Sequence, residues 1–312
     1  MPSNHEKLGT HKPEWLKVKL HNDARYAEVA AIVRQHDLHT ICASGRCPNI
    51  STCWSRGTAT FMIGGDVCTR ACRFCATRSA PHPAPLDPKE PIKIARSVKL
   101  MGLRHAVITS VDRDDLADGG AAHWAETVRA VRETSPDTTI ELLIPDFSGD
   151  LSLLDTVLRA ESDVVGHNME TVRRLTPEVR DRRASYDVSL AVLRHIAEWG
   201  AERGEPYLAK SAIMVGLGET RDEVMQTLDD LAAAGVRRMT IGQYLRPTAH
   251  HYPVAEYVHP DVFAEYKAAA EARGIVHVES GPLVRSSYMA DRLAPKRHQT
   301  LAELGREKGG AR

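Results

Sequence analysis

The sequence predicts an α/β fold, a partial (βα)6 TIM-type barrel with extensions at both ends. Three observations predict it. From Thr58 onward, short β-rich runs alternate with amphipathic helical runs, the pattern of βα units on a parallel sheet. A chain of 312 residues with 42% hydrophobic content is long enough and apolar enough for one such barrel. A cysteine-bearing segment directly follows the first strand, and barrels of this kind carry their chemistry in the loops at the C-terminal ends of strands.

The elements follow in order. Residues 1–57 are polar apart from a helical stretch near Tyr26–Gln35, with Ala27, Val29, Ile32 and Val33 on it. Strands are expected at 59–64, 105–110, 139–144, 162–166, 209–215, 238–242 and 275–279. Between them helices are expected near 91–101, 121–134, 150–159, 171–175, 189–200, 222–234 and 260–273. The helix after Thr220 has the most complete local code. Thr220 and Glu223 fit a capping box, Val224, Leu228, Leu231 and Ala232 share a face, and Gly235 is placed to end it. The stretch from Ala80 to Pro91 is a proline-rich loop. The chain divides into an N-terminal extension (1–57), a barrel (58–282) and a C-terminal extension (283–312). No repeat or low-complexity segment stands out.

Charge narrows the partners. Lys+Arg and Asp+Glu are both 41, so nothing draws the chain in bulk to nucleic acid or to an anionic membrane. It has no apolar run of about 18 residues, the length a membrane helix needs, and the N-terminus has no signal-like apolar stretch. The expectation is a soluble, cytoplasmic protein.

All six cysteines fall in two triplets. Cys42, Cys47 and Cys53 are spaced C-x4-C-x5-C; Cys68, Cys72 and Cys75 are spaced C-x3-C-x2-C. So few cysteines in so long a chain do not make a disulfide scaffold, and thiolates suit soft metals. Structural zinc normally closes with four ligands, and neither triplet supplies them alone; His39 would have to complete the first triplet and a distant histidine the second. A redox C-x-x-C fits only Cys72 and Cys75 and leaves Cys68 idle. Three thiolates on a four-iron cluster leave one iron open to another ligand.

The residues around these cysteines carry a resemblance. CTRACRFC at 68–75 matches the CxxxCxxC motif of radical S-adenosylmethionine (SAM) enzymes. Further runs are LHTIC (38–42), CPNI (47–50), GTATFMIGG (57–65), TSVDRDDLADGG (109–120) and IPDFSG (144–149). HNMETVRRL (167–175), KSAIMVGLGET (210–220), TIGQYLRPT (240–248) and SGPLVRSSY (280–288) complete the set. With both cysteine spacings and RSSY together, the chain resembles the lipoyl synthases from about Lys12 to Arg292.

The resemblance implies two four-iron four-sulfur (4Fe–4S) clusters. Cys68, Cys72 and Cys75 would hold the one that binds SAM. Cys42, Cys47 and Cys53 would hold an auxiliary cluster closed by Ser287, with Arg285 orienting the site or the substrate. The implied reaction cleaves SAM to a 5′-deoxyadenosyl radical, which removes hydrogen from an octanoyl chain. Sulfur from the auxiliary cluster is then inserted at carbons 6 and 8. The implied substrate is octanoyl-lysine on a lipoyl carrier domain, of a 2-oxoacid dehydrogenase or of the glycine cleavage H protein. A low-potential ferredoxin- or flavodoxin-type donor and an iron–sulfur assembly or carrier protein are the other implied partners. The chain departs from the family where Ala43 and Thr52 replace common glutamates, which alters local charge near the auxiliary sulfurs.

Other residues sit at expected strand ends. Asp112, in the run to Asp115, reads as a polar wall around SAM or as a solvated loop. His167, Asn168 and Glu170 read as SAM or substrate contacts or as a structural network. Gly216 and Gly218 open a helix that meets SAM, or simply make a tight turn. Arg221 breaks the dinucleotide-binding pattern there. Tyr244 and Arg246 lie on the same rim. His250 and His251 read as surface loop residues, and Trp15 as packing for the N-terminal extension.

Overall fold

The structure is a computed structural model that describes residues 13–17, 24–35, 40–44, 47, 49–55, 59–206, 208–288 and 290. His39 lies outside the described residues.

Among the described residues, three α-helices precede the sheet: α1 (Ala24–Gln35), α2 (Ile41–Ser44) and α3 (Ile50–Ser55). Strand β1 (Thr60–Ile63) follows, then a parallel pair of two-residue strands, β2 (Val67–Cys68) and β3 (Arg78–Ser79), that flank the second cysteine group. Helix and strand then alternate as α4 (Glu90–Leu100), β4 (His105–Ser110), α5 (Ala121–Thr134), β5 (Thr139–Leu143), α6 (Leu151–Leu158) and β6 (Val164–Gly166). The chain continues through α7 (Thr176–Val179), α8 (Tyr186–Glu202), β7 (Ala209–Val215), α9 (Arg221–Ala233), β8 (Arg238–Gln243), α10 (Pro260–Ala272) and β9 (His277–Gly281).

The main sheet runs β1-β4-β5-β6-β7-β8-β9, every neighbouring pair parallel. Among the described residues β1 and β9 do not pair, so the barrel is open between them. Segments from both ends of the chain meet at this gap. Thr40 bridges antiparallel to Phe61, and Asn49 Nδ2 donates to Leu283 O at 2.6 Å. Thr60 Oγ1 donates to Ser287 Oγ at 2.9 Å.

Alternation along the strands separates outside from inside. On β4, Ala106 and Ile108 join the outer core with Phe61 and Ile63 of β1, Ile94 and Val98 of α4, and Trp124 and Val128 of α5. His105, Val107 and Thr109 alternate with them and line cavities. A second outer core packs α9 and α10 through Leu228, Leu231 and Phe263 onto Ile213, Met239 and Ile241. The capping box of α9 forms in both directions, and Gly235 follows the helix at φ 84°. Trp15 packs edge-on against His259 at the head of α10, with ring centroids 5.2 Å apart.

Several expected ends shift by two or three residues, as at Val164 and Tyr186, and two shifts have a clear local cause. The helix expected at 171–175 is a turn, and α7 forms only from Thr176. Pro177 lacks an amide hydrogen and belongs in a first turn, so it starts a helix rather than continuing one. The strand expected from Ile275 begins at His277. Ile275 N donates to Ala270 O at 3.2 Å beyond the left-handed Gly274, so Ile275 closes α10 instead of extending β9.

Candidate active site

The second cysteine group sits in a loop tied down from three sides. Ala80 N donates to Cys68 O at 3.0 Å, which joins its ends. From inside the barrel, Arg70 anchors it. This side chain is buried and reaches Asp146 Oδ1 at 2.6 Å and Asp114 Oδ1 at 2.8 Å. From the loop after α7, Asp181 Oδ2 accepts from Ala71 N at 2.8 Å, and Asp181 N donates to Cys72 Sγ at 3.2 Å. From the loop after β8, His251 Nε2 meets Cys75 O at 3.0 Å, and Tyr252 N donates to Arg73 O at 2.8 Å. His251 is thus a loop anchor rather than a plain surface residue.

Backbone amides point at the sulfurs. Asp112 N and Arg70 N donate to Cys68 Sγ at 3.3 and 3.4 Å. Such N–H···S contacts tune an iron–sulfur cluster. Burial pushes the Cys68 thiol up to about 12, aided by the Asp112 charge, and pushes Cys72 up to about 12 and Cys75 in the same direction. A nucleophilic or redox cysteine needs the opposite shift. A bound metal removes the proton outright, so these thiols suit metal ligation and not free thiol chemistry.

The cysteine loop caps a cavity of about 550 Å³ at the C-terminal ends of the strands. Asp112, Asn168 and Glu170 line it, as do His167, Arg180, Gln243, Tyr244 and Arg246. Asn168 Nδ2 donates to Glu170 Oε1 at 3.1 Å, and burial raises the Glu170 carboxyl. The acidic run splits: Asp112 and Asp114 face the cysteine loop, while Arg113 turns away to pair with Asp115 and donate to Gly64 O. Met62, Leu143, Ile144, Ala212, Met214 and Val284 give the same cavity apolar wall.

Gly216 and Gly218 do not line this cavity. The amides of Gly216 and Leu217 donate to the Glu219 carboxylate at 2.5 and 2.9 Å, so they are already satisfied. A Cβ on Gly216 would lie 2.4 Å from Glu256 O. The glycines serve a tight turn, one of the two roles expected of them.

The first cysteine group borders a smaller cavity of about 30 Å³, toward the N-terminal ends of β1 and β4. Cys42 on α2, Cys53 on α3 and Cys47 between them line it together with Thr60, His105, Arg285 and Ser287. Cys47 N donates to Cys42 O at 3.0 Å and Cys53 N to Asn49 O at 2.9 Å, which gathers the three. Burial pushes Cys42 and Cys47 up, and the Arg285 charge opposes this at Cys47. Among the described residues no three His, Cys, Asp or Glu side chains converge tightly enough to hold one metal ion. A four-iron cluster instead takes each thiolate on a separate iron.

Arg285 lines both cavities, and its neighbours divide between them: Ser286 faces the large one and Ser287 the small one. Burial lowers the Arg285 pKa, and the Cys47 charge works against it. Sequence reasoning missed Arg70, Asp146, Arg180, Asp181 and His105. Nothing in local spacing marks them, because the fold alone brings them to the cysteines.

A model of the radical SAM superfamily matches residues 62–231. The lipoyl synthase of Parabacteroides distasonis is 56% identical over 281 residues, covering 90% of this chain and 97% of that protein. The lipoyl synthase of Bacteroides thetaiotaomicron is 57% identical over the same shares. The chain belongs to the lipoyl synthase family. The lipoyl synthase of Flavobacterium johnsoniae is 54% identical over 287 residues, covering 92% of this chain and 97% of that protein. Among solved structures, the FeFe-hydrogenase maturase HydG of Carboxydothermus hydrogenoformans superposes with a TM-score of 0.54 at 13% identity, covering 91% of this chain and 78% of that one, which shows the shared fold. A lipoyl synthase of the radical SAM superfamily uses a 4Fe–4S cluster and SAM, and acts on a lipoyl-carrier substrate. No described helix is long and apolar enough to cross a membrane.

Proposed function

We propose that this chain inserts two sulfur atoms, at carbons 6 and 8, into an octanoyl chain amide-linked to a lysine of a lipoyl carrier domain. In this reading Cys68, Cys72 and Cys75 hold the SAM-binding cluster, and Cys42, Cys47, Cys53 and Ser287 hold an auxiliary cluster. When bound, the first cluster with SAM supplies a hydrogen-abstracting radical, and the auxiliary cluster supplies sulfur. The observation that carries the reading is the shared wall: Arg285 borders both cysteine cavities, with Ser286 and Ser287 turned to opposite sides.

The protein's own part is orientation and exclusion of water. Asp112, Asn168 and Glu170 offer polar contacts to the amino and ribose groups of SAM beside the first cysteines. The apolar wall from Met62 to Val284 suits an acyl chain directed at the second cavity. Residues 1–57 and 283–312 act as extensions that complete the auxiliary site around a barrel of 58–282. The carrier domain, a low-potential ferredoxin- or flavodoxin-type donor and an iron–sulfur assembly protein are the partners this function needs, in the cytoplasm.

Anaerobic reconstitution followed by iron, sulfide and turnover assays tests the reading. Two four-iron clusters give about eight irons per chain. Turnover with SAM, reductant and an octanoylated carrier gives the lipoyl product. Cys42→Ala still cleaves SAM but makes no lipoyl product; Cys68→Ala does neither. Four irons, bound zinc, or 5′-deoxyadenosine without any thiolated product would each contradict it.

A further inference from the structure

Inside the barrel, toward the N-terminal ends of its strands, lie charges that the reaction above does not use. Lys210 Nζ donates to Glu141 Oε1 at 2.5 Å, and Glu141 Oε2 lies 3.1 Å from His105 Nε2. All three residues are buried. The Glu141 carboxylate, already accepting from Lys210, can only accept, so His105 gives it the Nε2–H. That tautomer leaves the Nδ1 lone pair free. Among the described residues the buried Nδ1 has no hydrogen-bond partner, a state rare enough in native proteins to require a reason. His105 lines the small cavity with Cys42, Cys47, Cys53 and Ser287.

A carboxylate that accepts from one ring nitrogen and leaves the other to face a metal is the usual way a histidine ligand is oriented. We propose that Nδ1 of His105 binds iron at the auxiliary site, as a nitrogen donor additional to the three cysteines and Ser287, with Glu141 and Lys210 as its positioning residues. The inference rests on the two-cluster reading above. Three thiolates would take three of the four irons, and the Ser287 oxygen and the His105 nitrogen, which line the same cavity, would share the fourth. Ligation forms one dative N–Fe bond and moves no proton or electron, because the lone pair is already free. A neutral nitrogen donor raises the potential of an iron–sulfur cluster relative to thiolate.

The test is pulsed electron paramagnetic resonance on the full chain carrying nitrogen-15 histidine, reconstituted anaerobically and reduced without SAM. The expected result is about eight irons per chain and one strongly coupled histidine nitrogen, lost in Cys42→Ala and in His105→Gln. The wild-type spectrum decides even where a variant folds poorly. About eight irons with no strongly coupled histidine nitrogen overturns the proposal and leaves the two-cluster reading standing. A coupling that survives Cys42→Ala belongs to the other cluster and overturns it too. About four irons overturns both.

Discussion

Thr60 and Ser287 share a hydrogen bond of 2.9 Å, although 227 positions separate them in the chain. The bond ties the first strand of the barrel to the segment after the last one, across the gap in the sheet. Thr60 also restrains Cys42: burial drives that thiol up, and hydrogen bonds with the Thr60 backbone and hydroxyl work against it. One side chain therefore serves the first cysteine and the distant serine together.

Replacing Thr60 with valine keeps the shape and removes the donor. The loss of a hydrogen bond costs about 1 kcal/mol, which is about fivefold in an equilibrium. Thr60→Val is expected to lower lipoyl product by about five- to tenfold and to reduce auxiliary iron, with SAM cleavage unchanged. Iron per chain and the ratio of 5′-deoxyadenosine to lipoyl product measure this. Equal loss of both activities would show a global effect instead.

Gly242 on β8 sets the approach of the same C-terminal segment. A Cβ there would stand 2.2 Å from Val284 O, and backbone cannot yield as a flexible side chain can. Gly242→Ala must displace the segment that carries Arg285, Ser286 and Ser287. Overpacking of this kind costs about 1–3 kcal/mol. The expected phenotype is a lower unfolding temperature and a loss of sulfur insertion greater than the loss of SAM cleavage. Wild-type coupling between the two would mean that the segment tolerates the shift.

The sheet was legible because each buried strand is a short apolar run bounded by turn residues, as at Ala209–Val215, and each helix repeats its apolar face, as from Val224 to Leu231. Element ends were less so where one residue decides between two partners. Ile275 looks like a strand residue and is used as a helix closure. The grouping of the cysteines was legible from spacing, and the fold sets each triplet against its own cavity. Arg70 and Asp146 were not, because 76 positions separate them and neither has a local signature. At Gly216 the glycine turn was legible but not that Glu219 takes its amide.

Arg70 is the main internal anchor of the cysteine loop. Burial works to raise the carboxyls of Asp114 and Asp146, and hydrogen bonds from Arg70 overcome it and hold both below their usual range. Arg70→Met leaves the buried Asp146 carboxylate without its arginine, a change that costs about 3–5 kcal/mol, while Asp114 keeps Arg183 at 3.2 Å. The variant is expected to unfold at lower temperature and to lose iron from the first cluster. Arg70→Lys restores charge but not the two-carboxylate fork and is expected to recover only part. Full recovery by lysine would show that charge alone suffices.

His167 predicts an acid limb of stability. Burial, then the Arg180 charge, push it down from 6.5 to about 4, while Asp146 pulls the other way. The hydrogen bonds agree with a neutral ring. Nδ1 lies 3.0 Å from Ile144 O, which can only accept, so Nδ1 carries the proton. Nε2 then accepts from Ser189 Oγ at 2.9 Å, and Ser189 in turn accepts from Arg180 Nη1 at 2.8 Å. Between pH 6.5 and about 4 the unfolded chain binds a proton here that the native state does not. Unfolding is therefore favoured as pH falls through that window, by at most about 1.4 kcal/mol per pH unit from this one group. His167→Gln removes the titration and should flatten the difference in unfolding free energy between pH 6.5 and pH 4.5, even if it lowers stability at neutral pH. An unchanged slope in denaturant titrations at those two pH values would assign the acid sensitivity to other groups.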